Sequence, residues 1–356
     1  MKSILTTSFA IHFGETAFKA LHSYLESNNY SKIIVLVDTN TRTACLPVLI
    51  NKMVNNLQIE IIEIPSGETH KTIINCLKVW RCLSELGADR NSLMINLGGG
   101  VVTDLGGFVA STFKRGLKFI NIPTSLLAMV DASVGGKTGV DLDHSKNQVG
   151  TITFAEMVLI DTKFLDTLPK EELRSGMAEM LKHGLIADRL YWDALKGLKS
   201  PKTADLTPFI YRSVEIKNKI VTQDPNEMNV RKFLNFGHTL GHAIESYCLD
   251  SKNLKTLLHG EAIAIGMVLE AFLSYKLCGL NENDLVAIKT TFSEIYEKCE
   301  FRDENIKSIL NLLKHDKKNT HGRVNFVLLE AIGKCCLDVE VKQDLIYDAF
   351  KFYEKV

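Results

Sequence analysis

Five short apolar runs, separated by segments of helical character, restrict the fold of this chain more than any other feature. They fall at residues 32–38 (KIIVLVD), 58–65 (QIEIIEIP), 92–97 (SLMINL), 118–122 (KFINI) and 157–160 (MVLI). Runs of this length, dense in Ile, Val and Leu, read as strands buried on both faces. Between the second and third, residues 72–86 carry Ile73, Leu77, Trp80 and Leu83 at helical spacing. Strand alternating with helix predicts an α/β domain built on an open parallel sheet covered by helices.

After about residue 161 the texture changes. Helical periods run through 171–186, 209–221, 230–247 and 261–277, and one extended stretch (VNFVLL, 324–329) interrupts them. The second half is therefore expected to be mostly α-helical, with a boundary near residues 161–168. A length of 356 residues fits two domains. Forty-two basic residues balance 42 acidic ones, which argues against nucleic acid as the partner, since a phosphate-backbone binder carries excess Lys and Arg. A small anionic substrate needs only a few cations in one pocket. With 46% hydrophobic and 24% charged residues, disordered and collagen-like classes are excluded. No apolar run approaches the ~18 residues of a membrane span, and residues 1–10 lack the apolar core of a signal peptide. The eight cysteines are scattered without a CxxC pair, so neither a zinc ribbon nor a disulfide framework is indicated. The expectation is a reduced, cytoplasmic protein whose cysteines mostly fill the core.

Two glycine clusters stand out. Gly98-Gly99-Gly100 follows the SLMINL run and opens a helical segment, VVTDLGGFVASTF. Glycines let backbone N–H groups approach an anion, and a helix N-terminus favours negative charge, so a pyrophosphate suits this turn. Asp38, ending an earlier strand, could accept hydrogen bonds from a ribose. A purely structural tight turn is the alternative. The second cluster, DASVGGKTG at 131–139, contains GKT, but Asp131 stands where a P-loop needs Gly, and the segment follows an apparent helix at 125–130. A P-loop is rejected. Lys137 would sit there on flexible backbone, and with Lys146 and Arg115 it could form an anion pocket; solvated surface lysines are the alternative.

The segment RKFLNFGHTLGHAIE (231–245) is the most informative. At 100° per residue, Arg231, Asn235, His238, His242 and Glu245 fall within about 80° of one helix face. Gly237 and Gly241 cost roughly 1 kcal/mol each in a helix, which points to close approach by another backbone or a ligand. His238 and His242 have the i, i+4 spacing that can place two imidazoles on one metal, but HExxH is absent because Thr239 follows His238. His259 and Glu179 are further ligand candidates. Spacing alone does not choose among them.

These residues sit in blocks that resemble the 3-dehydroquinate synthase family: GGGVVTDLGGFVASTFKRG, IPTSLLAMVDASVGGKTGVD, KNQVG, RSGMAEMLKHGLI, LNFGHTLGHAIE, LHGEAIAIGM and HDKKN, with VLVDTN and SGETHK upstream. The resemblance implies a Rossmann-like NAD-binding α/β domain over residues 1–163 and a mostly α-helical metal- and substrate-binding domain over 164–356. It implies conversion of 3-deoxy-D-arabino-heptulosonate 7-phosphate to 3-dehydroquinate and phosphate, with NAD and one divalent metal, zinc or cobalt. By motif, the metal ligands would be Glu179, His238 and His259. Cofactor contacts would be Asp38, Asn40, Glu68, Lys71, Gly99, Gly100, Val101, Asp104, Thr124, Ser125, Lys137, Lys146, Phe164 and Thr167. Substrate contacts would be Asp131, Lys137, Asn147, Lys182, Lys217, Arg231, Asn235, His242 and one lysine of Lys317-Lys318. Glu227 would share proton transfer with His242. Arg115 would reach the neighbouring subunit's site, implying a homodimer.

Some positions depart from the family pattern. Asp141 stands where Asn is frequent, Ser145 where Gly is common, and residues 224–229 read DPNEMN. His238 and His259 are 21 residues apart, a few more than expected, and residues 250–255 look like the insertion that absorbs them. The alternatives are a cyclase acting on sedoheptulose 7-phosphate or glucose 6-phosphate, a metal-dependent NAD polyol dehydrogenase, and a catalytically dead NAD-binding scaffold.

Overall fold

A computed structural model describes residues 1–6, 8–53, 58–142, 145–198, 203–251, 254–313 and 324–355. The chain divides into two compact units, Met1–Pro169 with Thr203–Asn218, and Lys170–Lys202 with Lys219–Val356.

In the first unit the apolar runs become strands of a seven-stranded sheet. Its order is Ile4–Leu5, Ala10–Phe13, Met157–Ile160, Lys118–Pro123, Leu93–Gly98, Ile33–Asp38 and Ile59–Ile64. Only Ile4–Leu5 pairs antiparallel; the rest are parallel. The strand Leu93–Gly98 is buried throughout, as a sheet covered on both faces requires. From Ile33–Asp38 the chain steps outward to Ile59–Ile64, then returns to the other side with Leu93–Gly98. The order therefore reverses between Ile33–Asp38 and Leu93–Gly98. The carboxyl ends of these strands carry Asp38 and the glycine turn, and such a switch point is where open α/β sheets hold ligands.

The second unit is mostly helical, as expected. Its centre is the helix His259–Leu277, buried at every residue from Gly260 to Ser274; a helix apolar all round must be enclosed. Helices Lys170–Ala187, His238–Asp250, Glu282–Ile295 and Gln343–Glu354 pack on it, together with strand Asn325–Ala331. Among the described residues, no helix is long and apolar enough to cross a membrane.

Three readings need correction. Residues 230–247 are not one helix. Val230–Asn235 is a 3₁₀ turn, and the α-helix starts at His238 after Gly237, whose φ of +79° is left-handed. Gly237 cannot continue a helix there, and a Cβ on it would lie 2.3 Å from Met267 Cγ. The stripe is thus two segments, and Arg231 and Asn235 do not share a helix with His238. Secondly, Lys137 stands on regular backbone rather than a flexible loop. Lys137–Leu142 pairs antiparallel with Ser145–Ile152, and Gly139 faces Gly150 so closely that a Cβ on Gly150 would come 2.2 Å from Thr138 O. Thirdly, the single extended stretch near the C-terminus is a hairpin, Asn325–Ala331 with Lys334–Glu340.

Candidate functional site

The polar residues gather in two clusters, one in each unit. In the first, strand Leu93–Gly98 runs into helix Gly100–Thr112 through Gly99, which caps the helix without any side-chain hydrogen bond. The first N–H groups, from Gly100 and Val101 onward, are therefore left for an incoming acceptor. The helix lies hard against the sheet, since a Cβ on Gly106 would come 2.2 Å from Asn96 Oδ1. Thr124 N donates to Gly98 O at 2.9 Å, and Ser125 Oγ accepts from Ala128 N at 3.2 Å. The turn, Thr124 and Ser125 are thus neighbours. Asp38 caps helix Thr39–Ala44, accepting from the backbone of Asn40 (2.9 Å) and Thr41 (2.8 Å). Part of its acceptor capacity thus goes to the fold.

Lys71 is buried, and its Nζ donates to Asp104 Oδ2 and Asn147 Oδ1, both at 2.6 Å. Burial opposes its charge, but the Asp104 and Glu68 carboxylates outweigh that and hold the ammonium above its ordinary pKa. Lys146 reaches Glu68 at 3.4 Å. Asn147 is left-handed at φ +51°, with its N–H on Asp141 Oδ1 at 2.7 Å. Phe164 and Thr167 lie in the 3₁₀ segment Thr162–Thr167. Cys45, overlooked as core filler, bonds the Thr124 and Thr167 hydroxyls, and burial pushes its thiol up to about 11.

Not every candidate joins this group. Lys137 opens its hairpin strand opposite Ile152, whereas Lys146 lies at the other end beside Ser145. About four strand residues, or roughly 13 Å, separate the two lysines. Arg115 is exposed and left-handed at φ +71°, past the end of helix Gly100–Thr112. It stands about 18 Å along that helix from the glycine turn. The two lysines thus stand toward opposite ends of the hairpin, and Arg115 lies away from the glycine turn. Asp131 instead pairs with the buried Lys217, Oδ1 to Nζ at 2.6 Å.

In the second unit three helices converge. Helix Lys170–Ala187 carries Glu179 and Lys182, His238–Asp250 carries His238, His242 and Glu245, and His259 opens its own helix. Backbone contact sets their spacing. A Cβ on Gly260 would lie 1.9 Å from Ser175 O, and one on Gly266 would lie 2.0 Å from Gly237 O. Glu179 is fully buried, yet neither of its carboxylate oxygens accepts a hydrogen bond of good geometry. The Lys182 ammonium lies against Oε2. Oε1 faces two imidazoles, at 3.5 Å from His238 Nε2 and 3.9 Å from His259 Nε2. Oxygen and nitrogen ligands of one tetrahedral ion are about 3.4 Å apart. His238 Nδ1 meets Phe236 O at 3.1 Å and His259 Nδ1 meets Glu245 Oε2 at 3.2 Å. Both contacts favour Nδ1–H tautomers and leave Nε2 with its lone pair turned toward Glu179.

His242 adds a third ring, 5.1 Å from His238 and 5.8 Å from His259 between centroids, and the three imidazoles could also hold an ion among themselves. Glu179 is the other candidate for third ligand. A buried carboxylate short of donors is costly unless a cation meets it, and a divalent ion at Oε1 would do so. These residues fit a metal.

The segment before the Gly237 break is tied separately. Asp224 accepts from the backbone N–H groups of Met228 (3.0 Å), Asn229 (2.6 Å) and Arg231 (3.1 Å). Burial works against its charge, but these donors prevail and lower its pKa. The loop holds Glu227 left-handed at φ +58° and brings its Oε1 to Asn235 Nδ2 at 2.8 Å. Arg231 is buried and donates to Pro225 O at 2.7 Å. Lys317 and Lys318 lie outside the described residues, as does part of the insertion read at 250–255.

The sequence reading missed the contacts of two residues that matter here. Glu245 was placed on the stripe but not beside His259. Glu270, fully buried, accepts from Gly237 N at 2.6 Å and Leu240 N at 3.1 Å, capping the histidine helix from its neighbour. An acidic residue inside the apolar run EAIAIGMVLEAFL was its only signal.

Two solved structures share the fold. One is 2-epi-5-epi-valiolone synthase from Streptomyces hygroscopicus subsp. jinggangensis with NAD+ and Zn2+ bound (TM-score 0.86, 25% identity, 99% of this chain and 98% of that one). The other is 2-deoxy-scyllo-inosose synthase complexed with carbaglucose-6-phosphate, NAD+ and Co2+ (TM-score 0.86, 26% identity, 99% of each). The fold is that of the sugar phosphate cyclases. Residues 61–175 match the family described as 3-dehydroquinate synthase N-terminal, and residues 176–319 match 3-dehydroquinate synthase C-terminal. A protein named 3-dehydroquinate synthase from Parabacteroides distasonis is 40% identical over 94% of this chain and 95% of its own length. The chain belongs to the 3-dehydroquinate synthase family.

Proposed function

We propose that this protein is a 3-dehydroquinate synthase, a phosphate-eliminating lyase of the shikimate pathway. It would turn 3-deoxy-D-arabino-heptulosonate 7-phosphate into 3-dehydroquinate and phosphate. The observation that carries this over another cyclase is the 40% identity across 94% of the chain, against 25–26% to the solved synthases of other products.

We assign residues 1–163 mainly to dinucleotide binding and residues 164–356 mainly to metal and substrate binding, with a few residues of each serving the other role. The uncapped N–H groups after Gly99 would take the pyrophosphate, Asp38 and Asn40 the ribose, and Thr124, Ser125, Phe164 and Thr167 the remaining surface. Lys71, held charged by Asp104, would orient one face of the cofactor with Glu68 and Lys146. Glu179, His238 and His259 would hold one zinc or cobalt ion. When bound, NAD would supply the acceptor for hydride from carbon C5 and its later return, and the metal would lower the pKa of the C5 hydroxyl and polarise the ketone. The ketone acidifies the neighbouring C–H, which lets phosphate leave.

The chain's own groups do the binding and proton handling. Arg231 and Lys217 suit the substrate carboxylate, with Asp131 orienting Lys217. Lys137, Asn147, Asn235, His242 and a lysine of the HDKK pair suit the phosphate. Lys182, beside Glu179, suits the hydroxyl oxygen on the carbon that is oxidised. Glu227, bonded to Asn235, would work with His242 on the proton. Arg115, remote from the glycine turn, suits the neighbouring site of a homodimer in the cytoplasm.

Purified protein given the heptulosonate phosphate, NAD and Co2+ should release phosphate without accumulating NADH. Stoichiometric NADH would refute the assignment in favour of a dehydrogenase, and release only from sedoheptulose 7-phosphate or glucose 6-phosphate would favour another cyclase.

A further inference from the structure

We infer that Glu245 is a positioning residue for the metal centre, fixing the tautomer of His259 and strengthening it as a ligand. The inference rests on the proposed Glu179–His238–His259 site and extends it to a residue with no assigned role. Glu245 is 6% exposed, and its Oε2 lies 3.2 Å from His259 Nδ1. It reaches there because it stands seven residues, about two turns, beyond His238 on the same helix. The two imidazoles are therefore supported differently. The Nδ1–H of His238 meets a backbone carbonyl, that of Phe236, at 3.1 Å, while that of His259 meets a carboxylate.

The difference has chemical content. A carbonyl dipole orients a ring, whereas a carboxylate also shares negative charge with it and raises the donor strength of the opposite nitrogen. His259 needs this support more. Its side chain is 25% exposed against 11% for His238, and its Nε2 stands 3.9 Å from Glu179 Oε1 against 3.5 Å. It is also the first residue of its helix, so no preceding turn limits its ring. Glu245 supplies the constraint that the helix does not. With Glu179 it also sets two carboxylates against one divalent ion.

The test is metal binding by the full chain, with Zn2+ and Co2+ titrated into metal-stripped protein in the absence of substrate. Wild-type protein that binds neither ion would overturn the metal-site reading itself, separately from the role of Glu245. If wild type binds, Glu245→Ala should bind ten- to a hundredfold more weakly, as loss of such outer partners typically does. Glu245→Gln matches the carboxylate in size and keeps an acceptor but loses the charge. It should fall in between, at least threefold weaker, with the visible bands of bound Co2+ shifted. Affinity within twofold of wild type for Glu245→Gln, with an unchanged Co2+ spectrum, would overturn the proposal, and this variant decides if Glu245→Ala does not fold. A merely structural role would lower the melting temperature of both variants without moving the Co2+ bands.

Discussion

Gly260→Ala adds a single methyl group, and the structure gives its consequence. The new Cβ would stand 1.9 Å from Ser175 O and 2.6 Å from both Ser175 C and Cα. Ordinary contact begins near 3.4 Å, so one helix must retreat by about 1.5 Å, and no side chain can swing aside because every close atom is backbone. Overpacking of this kind costs typically 1–3 kcal/mol. The retreat also stretches the hydrogen bond from Gly260 N to Ser175 Oγ, now 2.9 Å, which adds about 1 kcal/mol. The expected loss is thus about 2–4 kcal/mol, a large part of the 5–15 kcal/mol that domains typically have. His259 moves with Gly260 while Glu179 stays on the Ser175 helix, so metal affinity should also fall at least tenfold. Urea unfolding of the metal-free protein and Co2+ titration read the two effects. Gly197→Ala is the control, since its Cβ would meet nothing nearer than Ala194 O at 3.7 Å. A Gly260→Ala protein as stable as that control, with wild-type Co2+ affinity, would show that the helices are not held by this contact.

Glu179→Gln should abolish metal retention through gel filtration, whereas His242→Ala should keep the ion and lose turnover; the reverse pattern would favour the three-histidine set. Lys71→Met leaves Asp104 largely buried without its ammonium and should cost about 3 kcal/mol in urea unfolding. Because the folded pKa of Lys71 is raised, its stabilisation is complete below about pH 10.4 and fades only as pH rises through the folded value. The gap to wild type should therefore be equal at about pH 7 and pH 9, and a gap that shrinks across this range would contradict the pairing. Arg231→Ala should raise the KM for the heptulosonate phosphate at least tenfold while NAD affinity, measured by titration, stays within twofold.

The parallel strands were readable almost residue for residue, because buried strands leave continuous apolar runs bounded by turns. The run at 32–38 became Ile33–Asp38 and that at 92–97 became Leu93–Gly98. Strand Ala10–Phe13 was not, since AIHF is too short to stand out. The histidine stripe was misread because a 100° period does not register one left-handed residue. Asn235 and His238 keep their phase on paper although Gly237 turns the chain between them. What fixes that turn, Glu270, is 33 residues away, and a window along the sequence cannot see it. Ligand choice was similarly hidden. Spacing left His238, His242, His259 and Glu179 open, the family motif pointed to Glu179, His238 and His259, and the burial of Glu179 with its distances to two Nε2 atoms supports that set. The hairpin Lys137–Leu142 with Ser145–Ile152 looked like loop because its glycines were read as freedom rather than as room for a facing backbone.

The break at Gly237 also matters for how such a protein can change. Upstream of it, Glu227, Arg231 and Asn235 belong to a segment anchored on Asp224; downstream, His238 and Glu245 ride a helix anchored on Glu270. Gly237 is where these two separately anchored segments meet. Under the proposed roles, substitutions in the first would retune which acid or sugar is held without re-aiming the imidazoles of the second. A lineage with these roles would diversify its substrates while leaving its metal chemistry untouched.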